Sequence, residues 1–383
     1  MAEGRAVLDE AAHHWTTAAD LIEADRPRAA LPHLERLVSL FPGDPRFRFA
    51  LGRALFEIGK DERATFHLEQ ALAGPLPREA QARVETLLER IRTRKTWQAG
   101  FTFALVPETN AARRTQAEEI SIGGIRFRLN PDARARSGTG LHFGGSGAYI
   151  PRIGRDLRLR LALAANARLF RESELNDLTL RGEVGLLRFG DAGTEWGGGL
   201  SLQRRWIGND AFMYAPGIFA SYATRPDSVT RLSVRGDVEQ HVHDELAGLD
   251  GPRLRVSAAI ARVVNPRLIL RARAFGTRIG ADAVHERGVE GGLTLGGSYA
   301  FSGGLMTGLD VTVARGRRDG ASPLFGISRR EDRFEASLSL LHRSVSWRGF
   351  APTLEVTHDV RRANIELYDY ETTRLSIGIT RRF

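Results

Sequence analysis

The sequence predicts a multidomain α + β chain: tandem helical repeats over residues 1–95, then a transmembrane antiparallel β-barrel of about 14 strands over residues 96–383. Three observations predict it. Apolar residues recur at helical spacing from residue 5 to residue 94, within a repeat of 34 residues. At Trp97 the period falls to two and stays there. The chain then closes on Pro352 to Phe383, where Leu375, Ile377 and Ile379 alternate with Arg374, Ser376, Gly378 and Thr380 before the terminal aromatic, as the last strand of a barrel does when it closes on the first.

Composition narrows the alternatives. The chain has 383 residues, 42% hydrophobic and 26% charged. No run approaches the ~20 apolar residues that a spanning helix needs, which excludes a helical membrane protein. A barrel stays open, because only alternate residues of its strands must be apolar. Forty-one glycines fit many strands with tight turns, and the lack of cysteine excludes a disulfide framework or thiolate metal site. The net charge of +9 is carried almost wholly by arginine, with no basic helix or aromatic-basic interleave, so nucleic acid is not an expected partner. The first residues lack a charged start followed by an apolar run, so no secretory signal is read here.

The helical region comes first. Ala18, Leu21, Ala30, Leu34, Leu37 and Pro42 return 34 residues later as Gly52, Leu55, Ala64, Leu68, Ala71 and Leu76. Small residues where helices cross, large ones between them and a breaker at the end form the tetratricopeptide pattern. A third segment, Pro77 to Arg94, is expected to cap the stack. Leu21, Leu34, Leu55 and Leu68 are the candidate lining of a client-holding groove; the alternative is a helical plug or spacer.

Strands follow. Leu157 to Leu169 alternates with Arg158, Arg160, Asn166 and Arg168, and the same split recurs at Ile125/Phe127/Leu129, Leu232/Val234/Val238, Leu254/Val256/Ile260, Leu268/Leu270 and Phe334/Ala336/Leu338/Leu340. These runs exceed the ~5 to 6 residues of soluble-sandwich strands. In lipid every backbone donor needs a partner, so the sheet must close and its arginines face a wet lumen. Short turns are expected at Asn265-Pro266, Ser302-Gly303 and Trp347-Arg348-Gly349. Longer loops are expected near Glu245 to Gly251, Arg317 to Glu331 and Arg361 to Glu371. Both barrel ends on one side demand an even count, with 14 strands expected and 16 the alternative.

No HExxH, GxSxG or phosphate-cradling motif is present, so no catalytic or cofactor-binding residue is assigned and no enzyme is expected. His241 and His243 share a strand face beside Asp244 and Glu245, a conceivable metal pair better read as the solvated end of a strand. Glu183, Asp237, Glu239, Arg271 and Arg273 face the lumen, as a latch, a conduit or a plain pairing network.

The last third carries a family resemblance. SPLFGISRRED at Ser322 to Asp332, the stretch His342 to Phe383, and Pro107, Thr109 and Asn110 after the first strand together resemble the barrel of the surface lipoprotein assembly modulators, the Slam family. Its diagnostic residues here are Gly326, Arg329, Arg330, Asp332, Pro352, Asn364, Ile365, Tyr368, Tyr370 and Phe383. The resemblance implies an outer-membrane translocator that carries a lipoprotein, or a related secreted haem- or metal-scavenging protein, from periplasm to cell surface. It also implies the helical domain in the periplasm, no cofactor, and partners comprising outer-membrane lipid, the client, barrel-assembly machinery and periplasmic chaperones. Gly326, Arg329, Arg330 and Asp332 form a candidate loop motif; Asn364, Ile365, Tyr368, Tyr370 and Phe383 are candidates beside the barrel seam, where a client strand would pair. The alternatives are a tetratricopeptide-barrel polysaccharide exporter and a passive diffusion channel.

Overall fold

A computed structural model describes residues 2–94, 96–190, 193–342, 345 and 350–380; the expected turn at Trp347-Arg348-Gly349 and the terminal Phe383 lie outside the described residues. Among the described residues five helices open the chain: α1 (Ala2–Glu23), α2 (Pro27–Leu40), α3 (Pro45–Glu57), α4 (Asp61–Leu72) and α5 (Arg78–Arg94). Pro27 and Pro45 stand at first-turn positions, where a missing N–H costs nothing. The Asp44 carboxylate caps α3 by accepting from the Arg46 backbone N–H at 2.9 Å.

The 34-residue repeat becomes two helix pairs with matching buried seats. Ala30 and Ala64, Leu34 and Leu68, and Leu37 and Ala71 are all at 0% exposure, and Val84 and Ile91 of α5 close the same core. This corrects the groove expectation. Leu34, Leu55 and Leu68 are fully buried between helices and Leu21 packs against them, because the repeat conserves inter-helix packing positions rather than an exposed wall.

One helix contact is titratable. His14 of α1 lies 2.9 Å, Nδ1 to Nδ1, from His33 of α2. Burial, then the neighbouring His33, hold its pKa below the usual imidazole value. A lowered folded pKa means that the unfolded chain takes up the proton first, so the stabilisation is intact above about pH 6.5 and is lost as pH falls below it. Helical-domain unfolding of the full chain, followed by circular dichroism, is therefore expected to shift to lower temperature between pH 7 and pH 5, and His14→Gln to flatten that dependence.

Among the described residues sixteen strands follow: β1 (Trp97–Glu108), β2 (Glu119–Ile122), β3 (Ile125–Arg128), β4 (Gly138–Tyr149), β5 (Leu157–Phe170), β6 (Asp177–Phe189), β7 (Glu195–Ile207), β8 (Asp210–Asp227), β9 (Thr230–His243), β10 (Gly251–Asn265), β11 (Leu268–Ile279), β12 (Gly288–Ala300), β13 (Leu305–Ala321), β14 (Ser328–His342), β15 (Ala351–Ala363) and β16 (Tyr370–Thr380). Fourteen of them close a barrel in which β1 pairs with β4 on one side and β16 on the other. β2 and β3 form a separate two-stranded sheet, so the alternating stretch at Ile125 to Leu129 is not a wall strand. Its four-residue strands are too short to cross a bilayer.

The wall reads as the alternation dictates. Leu163, Val184, Leu200, Leu202, Ile218 and Leu295 point outward at 54–64% exposure, an apolar band that lipid rather than water would solvate. At the end where the chain enters the barrel, Trp97 packs against Tyr149 and Trp196 against Tyr222 with tilted rings, and Tyr299 meets Phe301 edge to face, with centroids 4.5, 4.3 and 4.7 Å apart. That aromatic ring is the signature of a membrane interface.

Candidate functional site

Three features bear on passage: the seam between β1 and β16, a polar cluster at the far end of the barrel, and a chamber under the helical domain. The seam runs in one register, with Thr102, Phe103, Ala104 and Leu105 opposite Thr380, Ile379, Gly378 and Ile377, and Glu108 opposite Arg374. Val106 and Pro107 drop out of that ladder, yet both stay paired with β4 through Gly140 and Thr139. Pro107 has no N–H to give. Gly378 is obligatory for the close approach, since a Cβ there would sit 2.1 Å from the Phe103 carbonyl oxygen.

Beyond the break the seam is clipped. The Thr109 N–H donates to the Thr373 carbonyl at 3.0 Å, and the Thr373 N–H donates back to Thr109 Oγ1 at 2.9 Å. Asn110 Nδ2 donates to the carbonyls of Arg114 and Glu371 at 2.7 and 3.2 Å. Glu108, its side chain fully buried, takes a 2.6 Å ion pair from Arg168 and a 3.4 Å hydrogen bond from Thr372. Glu108 and Thr372 were not singled out in the sequence, although lumen parity on β1 marks the first.

The two sequence motifs meet at the same end. The guanidinium of Arg329 lies over the Tyr368 ring at 4.0 Å and pairs with Glu286 at 3.1 Å and Glu331 at 2.9 Å. The Arg330 N–H donates to Asn364 Oδ1 at 2.7 Å, and Asn364 Nδ2 donates to the Ser328 carbonyl at 2.8 Å. Asn364 thus ties the last hairpin to the start of β14, one strand away from the seam. Ile365 is buried, and Tyr370 donates its hydroxyl to Asp359 at 3.1 Å, where Arg333 also pairs at 2.9 Å. Gly326 supplies a left-handed turn residue, φ +68°, and Asp332 is exposed in a 2.6 Å pair with Arg315. The long loop expected from Arg317 to Glu331 shortens to 322–327, because β13 and β14 extend beyond the apolar band.

Lumen charges fall into separate groups. Arg181 of β6 pairs with Glu183 at 3.0 Å, with Asp237 at 2.9 Å and with Glu239, while Arg235 joins Glu183 and Asp237 at 2.7 Å each. Arg271 is apart, 3.3 Å from Asp310. His241 and His243 are buried rather than solvated, and each has its own carboxylate, Glu239 at 3.2 Å and Asp250 at 3.0 Å. No metal-binding group of three or more such side chains occurs among the described residues.

The helical domain sits over the end where the chain enters. The Gly303 N–H of the β12–β13 turn donates to the Ser39 carbonyl at 2.8 Å, Arg225 pairs with Glu69 at 2.7 Å, and Arg152 and Arg158 donate to the Thr93 carbonyl. Arg92 lies over the Phe189 ring at 5.4 Å. Beneath α4 and α5 a cavity of about 790 Å³ opens to the lumen, lined by Leu72, Leu88 and Arg92 on the helical side and by Arg160, Arg231 and Arg235 on the barrel. At the same junction Arg48 is buried with hydrogen bonds to the Pro42 carbonyl and Gln70; burial, then the nearby Arg267, pull its pKa down to about 9.

Sequence comparison with known protein families agrees with this architecture. Residues 93–383 match the family described as surface lipoprotein assembly modifier, and residues 21–91 match a tetratricopeptide repeat. Surface lipoprotein assembly modifier 1 of Neisseria meningitidis serogroup B is 24% identical, over 95% of this chain and 74% of its own length. The surface lipoprotein assembly modifier of Moraxella catarrhalis is 21% identical, over 96% and 72%. Among solved structures, a Pseudomonas aeruginosa FadL homologue is 13% identical with a TM-score of 0.40, covering 89% of this chain and 94% of that one. The TodX monoaromatic hydrocarbon channel ΔS2 mutant is 9% identical at 0.41, covering 84% and 94%. From its helical repeats through its closing strand, this chain belongs to the surface lipoprotein assembly modifier family, outer-membrane β-barrels that carry tetratricopeptide repeats.

Proposed function

We propose that this protein delivers a lipoprotein, or a related secreted haem- or metal-scavenging protein, from the periplasm to the cell surface, as a translocator without an active site. The family match and the chamber beneath α4 and α5 support this reading together. A helical domain placed in the periplasm would hold an incompletely folded client beneath the barrel mouth, and the arginines around the chamber would attract acidic segments and backbone carbonyls. The client would leave by the lumen or by the seam, where an opened β1 or β16 edge offers main-chain hydrogen bonds to an extended strand. Barrel-assembly machinery and periplasmic chaperones are the partners that such a path requires.

The test is surface display. Intact cells expressing this protein with a lipoprotein from the same genome are stained for that lipoprotein. Deleting Glu3 to Arg94 while the barrel still assembles is expected to abolish the signal. Absence of signal from the complete chain would discard the reading, and extracellular polysaccharide would be assayed next.

A further inference from the structure

The hairpin of β2 and β3 forms a sheet separate from the barrel, with Ile120 buried, and its residues divide by face. Gly123 and Gly124, with φ of +59° and +85°, form its two-residue turn, which sets Ile122 opposite Ile125, Ser121 opposite Arg126, Ile120 opposite Phe127 and Glu119 opposite Arg128. Alternation places Ile120, Ile122, Ile125 and Phe127 on one face; Ile125 and Phe127 are 64% and 46% exposed. The other face carries Arg126 and Arg128, neither of which makes an ion pair among the described residues. Among the described residues the two strands pair only with each other, so both outer edges keep unpaired backbone groups there. Such a hairpin is marginal alone in water.

Its root is fixed beside the seam clip. The Ala111 N–H donates to the Arg136 carbonyl and the Ala135 N–H to the Thr115 carbonyl, both at 2.8 Å, while Arg136 pairs with Glu174 at 3.2 Å. The segment 109–137 holds six arginines against Glu118, Glu119 and Asp132, a basic balance.

We propose that β3 is a docking strand for the emerging client: an extended segment alternating apolar and acidic residues adds at its edge. Apolar residues of that segment would stand beside Ile125 and Phe127, and acidic ones beside Arg126 and Arg128. A bilayer is the poorer occupant, since lipid would leave both hairpin edges without hydrogen-bond partners. Naming the client as the incoming chain rests on the translocator reading; the edge and its chemistry do not.

The full chain in detergent micelles is titrated with a fluorescein-labelled peptide of alternating valine and glutamate, and with its valine and lysine counterpart, by fluorescence anisotropy. Saturable binding of the acidic peptide alone is expected, with the preference reversed in Arg126→Glu/Arg128→Glu and lost in Ile125→Ser/Phe127→Ser. Client display by intact cells is expected to fall several-fold in the charge-reversed variant, with the amount of folded barrel unchanged. Equal or absent peptide binding, or acidic-peptide binding that survives charge reversal, overturns the proposal. A blue shift of Phe127→Trp fluorescence on adding lipopolysaccharide vesicles, without peptide binding, assigns the face to the bilayer and also overturns it. Peptide binding as expected, with no client displayed by the wild-type chain, sustains the docking strand and defeats the translocator reading instead.

Discussion

A disulfide between cysteines placed at Leu105 and Ile377 is expected to reduce client display to background, and a reductant to restore it. The two residues are register partners across the seam and both point outward, so the crosslink leaves the lumen unobstructed. The chain has no cysteine of its own, which makes the engineered bridge unambiguous. Opening the seam exchanges backbone hydrogen bonds between β1 and β16 for equivalent bonds to a client strand, each worth about 0.5–1.5 kcal/mol net, so the exchange is near balance. A covalent bond removes that option at a stroke. The seam also offers a starting point for such an exchange, because Val106 and Pro107 leave a gap in its ladder. A matched bridge at Leu161 and Val184, outward partners on β5 and β6, is the control and is expected to leave display intact. Undiminished display with the seam locked would route the client through the lumen.

The fold was legible because two periods are hard to mistake. Leu34 and Leu68 fall in equivalent seats of successive repeats, and Leu157 to Leu169 alternates over a whole bilayer thickness. What alternation cannot supply is membership. Ile125 to Leu129 carries the same pattern as a wall strand, but the four strand residues that follow the Gly-Gly turn are too few to span lipid. The site was legible in part. Arg329, Arg330, Asn364 and Tyr368 stood out as residues, yet only the folded barrel brings the loop motif onto the last hairpin, across more than thirty positions of sequence. Leu34, Leu55 and Leu68 went the other way, since a repeat pattern reports the positions that pack helices together and is silent about which side chains face a ligand.

Glu108→Ala is expected to be the most damaging single substitution in the barrel. Glu108 receives Arg168 at 2.6 Å and has Arg113 at 4.0 Å, and its own side chain is fully buried. Removing the carboxylate leaves two cations facing each other at the lumenal side of the seam. Breaking a buried pair in this way costs about 3–5 kcal/mol, and the lower end applies because Arg168 keeps some contact with water. The temperature at which the folded barrel loses its resistance to SDS, read as a gel shift, is the measurement. Replacing both partners, Glu108→Leu with Arg168→Met, removes the stranded charge and is expected to return most of the loss. If the double variant is as unstable as Glu108→Ala, the decisive contact is the hydrogen bond from Thr372 rather than the ion pair, and Thr372→Val should reproduce the defect. If the double variant recovers its stability, the ion pair serves the seam by balancing charge, and the tie between β1 and β16 resides in the reciprocal backbone and hydroxyl bonds of Thr109 and Thr373 just above it.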